Sequence, residues 1–217
     1  MKSIEKNGIS IHTMVLGQVA TNCYIVHRTG DSRCVVIDPA DNGEFIYETI
    51  KSLGLELEAV LLTHGHYDHI LGLRSLLGKN RVKTYAGEKE EELLQDPNQN
   101  LTVVTGTPIG VIADVYVRDG ERVRLADMDF DVLWTPGHTF GSVSYYLREQ
   151  RLLFCGDVLF LESVGRCDLP TGNWNQMLQT LENVLFKLPD EVEVYNGHGS
   201  STQIGYEKKN NPYGDML

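Results

Sequence analysis

The chain has 217 residues and a formal net charge of −11, with 41% hydrophobic and 23% charged residues. These are the proportions of a globular protein long enough to bury a full core, and length alone allows one domain or two small ones. The acidic balance argues against an electrostatic grip on nucleic acid or anionic lipid. The opening Met1-Lys2-Ser3-Ile4-Glu5-Lys6 lacks the apolar stretch of a secretory signal, and no apolar run approaches membrane-spanning length. Cys23, Cys34 and Cys155 lie in or beside apolar strand-like runs, and no CxxC spacing occurs. They read as buried thiols of a cytoplasmic protein, with Cys167 the candidate for exposure.

In chain order, residues 11–16, 22–27 and 33–37 read as three short strands, an antiparallel meander broken by Thr29-Gly30-Asp31 and ended by Asp38-Pro39. A helical stripe over 43–53 (Phe45, Ile46, Ile50, Leu53) stops at Gly54. The apolar run Val60-Leu61-Leu62 then leads into Thr63-His64-Gly65-His66-Tyr67-Asp68-His69, which packs three imidazoles and a carboxylate into six residues. A helix would put positions 64 and 66 on different faces, whereas a glycine-containing turn behind a strand lets both rings converge. Neutral imidazole offers a nitrogen lone pair to a divalent metal at pH 7. From Asp68 a second helical stripe (Ile70, Leu71, Leu73, Leu76, Leu77) runs to Gly78 as its stop. A strand over 82–86 and a charged helix Glu88–Leu94 follow. Residues 95–114 read as a long irregular excursion, either a functional cover or a disordered segment. Alternation along 115–134 gives strands, with further strands at 142–147, 152–154 and 191–195 and an amphipathic helix over 173–188. Two packed sheets with helices outside fit this sequence of elements.

Three later turns repeat one form, a polar ligand beside glycine just behind an apolar strand. They are Thr135-Pro136-Gly137-His138, Cys155-Gly156-Asp157 and Asn196-Gly197-His198-Gly199. Of seven histidines, five fall at such turns, and His12 and His27 lie within strand-like runs as structural residues. Five imidazoles and two carboxylates exceed the needs of one tetrahedral ion and fit two ions sharing a bridging carboxylate. Asp38, closing a strand, reads equally as a carboxylate behind a metal-bound histidine or as a simple turn aspartate.

Thr63–His69, Pro136-Gly137-His138, Gly156-Asp157 and Gly197-His198-Gly199 resemble the ordered motifs of the metallo-β-lactamase fold. The match spans almost the whole chain. Val164-Gly165-Arg166-Cys167-Asp168-Leu169-Pro170 and the segment from Gly197 to Tyr213 resemble, more narrowly, the short bacterial glyoxalase II-like hydrolases. The resemblance implies an α/β fold, a four-layer αββα sandwich of two mixed sheets, as one domain over 1–217. It implies a first metal held by His64, His66 and His138, a second by Asp68, His69 and His198, and Asp157 as the bridge. Asp38 then matches the strand-end aspartate behind the ligands. The expected cofactor is a pair of divalent ions, zinc first, with iron or manganese as alternatives. Such a pair lowers the pKa of a shared water from about 15.7 toward about 7 and gives a hydroxide nucleophile. Asp68 and Asp157 are the carboxylates expected at the reacting centre. Arg166 is either an anchor for a substrate carboxylate or a surface arginine paired with Asp168.

Only 19 residues follow His198, too few for the extra helical region that in full-length glyoxalase II supplies much of the glutathione contact. A thioester or ester of a small acid is therefore the expected substrate, with no nucleic-acid or membrane partner and the oligomeric state undefined. The principal rival is a mononuclear iron persulfide dioxygenase-like oxidoreductase, for which His64, His138 and Asp157 would supply two histidines and a carboxylate. A β-lactamase, a nuclease and a structural zinc protein are weaker readings.

Overall fold

A computed structural model describes residues 1–214. Seven strands form the first sheet in chain order, β1 (Lys2–Lys6), β2 (Ile9–Leu16), β3 (Thr21–Arg28), β4 (Arg33–Ile37), β5 (Glu56–Leu61), β6 (Lys83–Gly87) and β7 (Val115–Val117). The first three pairings are antiparallel and the last three parallel. Short turns join the meander, and the parallel strands need the longer crossovers that carry helices. These helices are α1 (Gly43–Ser52), α2 (Tyr67–Ile70), α3 (Leu73–Lys79) and α4 (Glu91–Gln95).

The second sheet comprises β8 (Arg122–Leu125), β9 (Met128–Trp134), β10 (Val143–Leu147), β11 (Leu152–Gly156), β14 (Glu193–Asn196) and β15 (Thr202–Gln203). Its order is β15-β14-β11-β10-β9-β8, with β11 and β14 parallel and the other pairs antiparallel. A separate hairpin, β12 (Leu159–Phe160) and β13 (Ser163–Val164), follows β11. Helices α5 (Trp174–Asn183) and α6 (Ile204–Asn210) cover the outer face of this sheet.

Both sheets are mixed and pack face to face, with helices outside, as expected. Val35, Ile37 and Leu61 point between the sheets against Phe130, Tyr145 and Phe154. Their chain neighbours Cys34, Val36 and Val60 point to the helical layer with Ile46, Ile50 and Leu76. Strands buried on both faces must be apolar at every position, which is why 34–37 and 59–62 read as unbroken apolar runs.

Several expectations are corrected in detail. Edge strand β1 was not foreseen, because Ile4 is its only apolar residue. The helix expected without a break from Asp68 to Gly78 is divided at Leu71-Gly72. There the chain passes so close to the 39–41 turn that a Cβ on Gly72 would stand 2.7 Å from the Pro39 carbonyl. Gly78 lies inside α3, and Asn80 caps it. The helix expected over 173–188 ends at Asn183 and continues as a 3₁₀ turn, Leu185–Lys187. Residues 95–114 fold around fully buried Asn100, whose amide donates to the carbonyls of Leu94 (3.0 Å) and Ile109 (2.9 Å).

The β12–β13 hairpin is tied to α6. Buried Glu207 accepts from the Glu162 amide (3.0 Å) and from Asn211 Nδ2 (2.8 Å), and Asn211 Nδ2 also donates to the Ser163 carbonyl (3.1 Å). The Tyr206 hydroxyl hydrogen-bonds Glu162.

Candidate metal centre

One end of the sandwich collects the ends of β4, β5, β11 and β14 and the loop between β9 and β10. All seven side chains expected as ligands meet there. His64, His66 and His138 place one ligand-type atom each within 4.8 Å of one another, and so do Asp68, His69 and His198. His64, His69 and Asp157 form a third such group. The Asp157 carboxylate lies between the first two sets. Its Oδ1 is 3.4 Å from His69 Nε2, and its Oδ2 is 3.3 Å from His198 Nε2 and 3.7 Å from His138 Nε2.

Backbone geometry brings the groups this close. Gly156 has φ +52°, and a Cβ on it would meet Thr63 Oγ1 at 2.2 Å, so a side chain there would push β11 away from β5. A Cβ on Gly197 would stand 1.9 Å from Asp157 Oδ1. The two sheets are also joined directly at this edge, where the Asn22 amide donates to the Gly197 carbonyl at 2.7 Å.

Three of the five rings are oriented from behind. Asp38 accepts from His69 Nδ1 (2.9 Å), from the Thr63 amide (2.8 Å) and from Thr63 Oγ1 (2.7 Å). This fixes the His69 tautomer and leaves its Nε2 facing the cluster. His138 Nδ1 donates to the Arg166 carbonyl at 2.7 Å, and His198 Nδ1 faces the Val19 carbonyl at 3.2 Å. Thr21 Oγ1 donates to Asp68 Oδ2 at 2.7 Å. The Thr21 and Thr63 hydroxyls, the Val19 carbonyl and the Arg166 carbonyl are contributions that sequence reasoning missed. Only Thr63 and Arg166 carried a signal, their place inside recognisable motifs.

Among the described residues, His64 Nε2, His66 Nε2, His69 Nε2 and Asp157 Oδ1 are buried with no hydrogen-bond partner. Stranding one such atom costs about 1–3 kcal/mol, so four in one cluster is a large penalty unless another group engages them. Nitrogen and carboxylate donors around a shared centre are the set a divalent transition metal takes. The residues fit the ions that the sequence implies.

Electrostatics divides the cluster in two. Burial, followed by neighbouring imidazoles, holds His64 well below its ordinary value and brings His66 down to about 3. Burial likewise lowers His138. These three rings stay neutral at neutral pH, with His66 Nδ1 against His138 Nε2 at 2.8 Å. Burial also opposes charge on His69 and His198, but the nearby carboxylates outweigh it, raising His69 strongly and His198 to about 10. On Asp68 the penalty of burial is overcome by His69, His198 and Thr21, which leaves it at about 2. Protons on His69 and His198 thus balance Asp68 and Asp157 where a cation would do the same.

A cavity of about 360 Å³ opens over the cluster, with Val19, Leu101, Phe160 and Leu169 as apolar wall and Tyr67 and Arg166 at its edge. The Arg166 guanidinium pairs with Asp168 at 2.7 and 2.8 Å, and both are largely exposed. Leu101 belongs to the 95–114 excursion, so that segment supplies part of the cavity wall. The cysteines stay out of the cluster. Half-buried Cys167 points its thiol at the Gly165 carbonyl (3.4 Å), and burial pushes it up to about 11.

The sequence profile of the metallo-beta-lactamase superfamily matches residues 16–198, the interval that contains every one of these groups. The chain belongs to that superfamily. A probable metallo-hydrolase of Streptococcus pyogenes serotype M6 is 39% identical over 86% of this chain and 83% of its own. The hydroxyacylglutathione hydrolase GloC of Haemophilus influenzae is 31% identical over 88% and 92%. Among solved structures, the BLEG-1 B3 metallo-beta-lactamase superposes with a TM-score of 0.88 at 35% identity, covering 94% of this chain and 98% of that one. TTHA1623 in a di-iron-bound form follows at 0.83 and 31%, covering 93% and 99%. ETHE1 from Myxococcus xanthus gives 0.78 and 31%, covering 93% and 83%. The chain is a metal-binding, hydrolase-like protein of the metallo-β-lactamase superfamily. No helix among its described residues is long and apolar enough to cross a membrane.

Proposed function

We propose that the chain is a dinuclear metal hydrolase acting on a thioester or ester of a small acid, as a glyoxalase II-like enzyme of the cytoplasm. The observation that carries this reading is the pair of donor triads with Asp157 between them and four orphaned buried donor atoms. His64, His66 and His138 would hold one ion, Asp68, His69 and His198 the other, and Asp157 would bridge. When bound, such ions supply Lewis acidity to the substrate carbonyl and acidify water near neutral pH.

The chain's own residues do the rest. Asp38, the Arg166 carbonyl and the Val19 carbonyl hold three rings in one orientation, so the centre is set before substrate arrives. Val19, Leu101, Phe160 and Leu169 keep bulk water from the acyl group. Among the described residues Arg166 is the one arginine or lysine lining the cavity, and exchanging Asp168 for a substrate carboxylate would let it act as anchor. One such cation suits a singly charged acid. Glutathione carries two carboxylates, and the kinship with GloC makes its thioesters the comparison substrate. Zinc is the proposed occupant, and the di-iron form of TTHA1623 makes iron the metal to test against it. All four cysteines are free thiols, in keeping with a reducing compartment.

The rival mononuclear iron oxidoreductase is expected on His64, His138 and Asp157; the two-histidine, one-carboxylate group found close together is instead His64, His69 and Asp157, the observation in its favour. Elemental analysis of protein purified without added metal separates the two when paired with hydrolysis and oxygen-uptake assays. The substrates should be a simple thioester, an aryl ester, a hydroxyacylglutathione and a cephalosporin, with a persulfide for oxygen uptake. About two zinc ions per chain, thioester or ester hydrolysis and no persulfide-dependent oxygen uptake are expected. One iron with oxygen uptake would overturn the proposal, and turnover of the cephalosporin alone would redirect it to β-lactams. His66→Ala should abolish hydrolysis with the circular dichroism spectrum unchanged.

A further inference from the structure

Glu90 is a charged-type residue at 1% exposure, and no cation among the described residues pairs with it. It sits in the 3₁₀ turn Glu88–Glu90 between β6 and α4, and no motif marks it. Its Oε1 accepts from the Gly65 amide at 2.9 Å, and its Oε2 accepts from Thr139 Oγ1 at 2.9 Å. Thr139 Oγ1, having given its proton to Glu90, accepts from Ser142 Oγ at 2.6 Å. Gly65 lies between His64 and His66, and Thr139 follows His138. One carboxylate therefore spans the two loops that carry the all-histidine triad.

We propose that Glu90 is a positioning residue that clamps the 64–66 and 138–139 loops together and so sets the affinity of the His64, His66 and His138 site. This rests on the reading that the triad holds a metal ion.

The packing beneath the loops leads to the same conclusion independently. A Cβ on Gly65 would meet Leu93 and Leu94 at 2.7 and 2.8 Å, and a Cβ on Gly141 would meet the Glu90 amide nitrogen at 2.2 Å. Both ligand loops thus rest directly on the 88–94 segment, Gly141 against its backbone and Gly65 against the Leu93 and Leu94 side chains. Burial pushes the Glu90 carboxyl up to about 7, against the hydrogen bonds from Gly65, Thr139 and Gly141. A buried carboxylate without a counter-charge is expensive to keep, and an apolar residue would pack there at less cost. What an apolar residue cannot do is accept from two loops at once. The second triad lacks this tie: His69 and Asp68 are held by Asp38 and Thr21. Glu90 should therefore act on one site and not on the other.

The test uses the full chain carrying Glu90→Ala or Glu90→Gln, with exposed Glu92→Gln as control. The readouts are zinc stoichiometry, chelator-competition affinity for each ion, and the visible spectrum of cobalt-substituted protein. Loss of a partner behind a ligand typically costs about 10–100-fold in metal affinity. Glu90→Ala should weaken one ion by that factor and alter the cobalt spectrum, with the other ion changed less than about threefold. Glu90→Gln, which keeps the shape and one acceptor, should fall between Ala and wild type; it also serves if the Ala variant does not fold. Equal loss of both ions, or wild-type affinity for both in folded Glu90→Gln and Glu90→Ala, would overturn the assignment. If wild type binds a single ion, the dinuclear reading fails, and Glu90 is still scored on that ion's affinity.

Discussion

Truncating Asp38 to alanine would strip three donors of their shared acceptor: His69 Nδ1, the Thr63 amide and Thr63 Oγ1. The stranded groups should cost about 1–3 kcal/mol in urea unfolding. Release of the His69 ring should lower metal affinity and hydrolysis by about 10–100-fold. Unchanged chelator-competition curves would show that His69 needs no support. Much of this residue-level chemistry was legible in the sequence, because histidines and aspartates beside glycine behind apolar strands are uncommon and carry ligand chemistry. Asp38 was only half legible, since a strand-ending aspartate has a commoner meaning. Thr21 and Glu90 were not legible at all: Thr21 meets Asp68 across 47 positions, and Glu90 lies in an acidic run that reads as a solvated face. The Arg166 backbone carbonyl, which accepts from His138, could not be read from side-chain identity.

At the scale of elements, the parallel pair β11–β14 delivers Asp157 and His198 side by side, and Gly197 is the point of closest approach. Gly197→Ala should displace the Asp157 carboxylate and reduce the bound metal while the sheets stay formed, as read by elemental analysis beside circular dichroism. Full metal content in that variant would mean the loop yields without cost. Edge strand β1 gives a pH prediction. Ser3 Oγ donates to His12 Nδ1 (2.7 Å), and His12 Nε2 faces His27 Nε2 (3.1 Å), whose Nδ1 faces the Arg28 carbonyl (3.0 Å). A neutral His12 ring fits this chain, its Nδ1 accepting from Ser3 and its Nε2 donating to His27. Burial, then His27, lowers the His12 pKa below its ordinary 6.5. Below pH 6.5 the unfolded chain binds the His12 proton before the native one does. Stability from this group is therefore full above 6.5 and is lost as pH falls toward the lower native value. The difference in Tm between wild type and His12→Gln should shrink from pH 7.5 to pH 5; a constant difference would remove His12 as the cause. Periodicity named most elements correctly and misplaced their ends. The break at Gly72 depends on the 39–41 turn, which no local pattern reveals.

For the molecule as a whole, the seven candidate ligands come from both sheets, so bound cations would fasten the two layers at one rim. Chelation should lower Tm, because a ligand of the native state contributes about 4 kcal/mol at a free concentration 1,000 times its Kd. An identical melting curve with and without chelator would contradict the proposed centre. The core that the metal end relies on is itself steep in energy: Phe154, fully buried between the sheets, should cost about 3–5 kcal/mol when cut to alanine, measured by urea unfolding. The two-sheet architecture was readable because doubly buried strands leave unbroken apolar runs. The β12–β13 hairpin was not readable, since strands of two residues leave no periodicity to detect.

That hairpin hangs Phe160 over the cavity, and its other side is gripped by Tyr206, Glu207 and Asn211. Helix α6 and Asn211 therefore hold one wall of that cavity from outside, although none of the described residues after His198 lines it. A change at Tyr206, Glu207 or Asn211 would thus reach Phe160 without touching any of the seven candidate ligands.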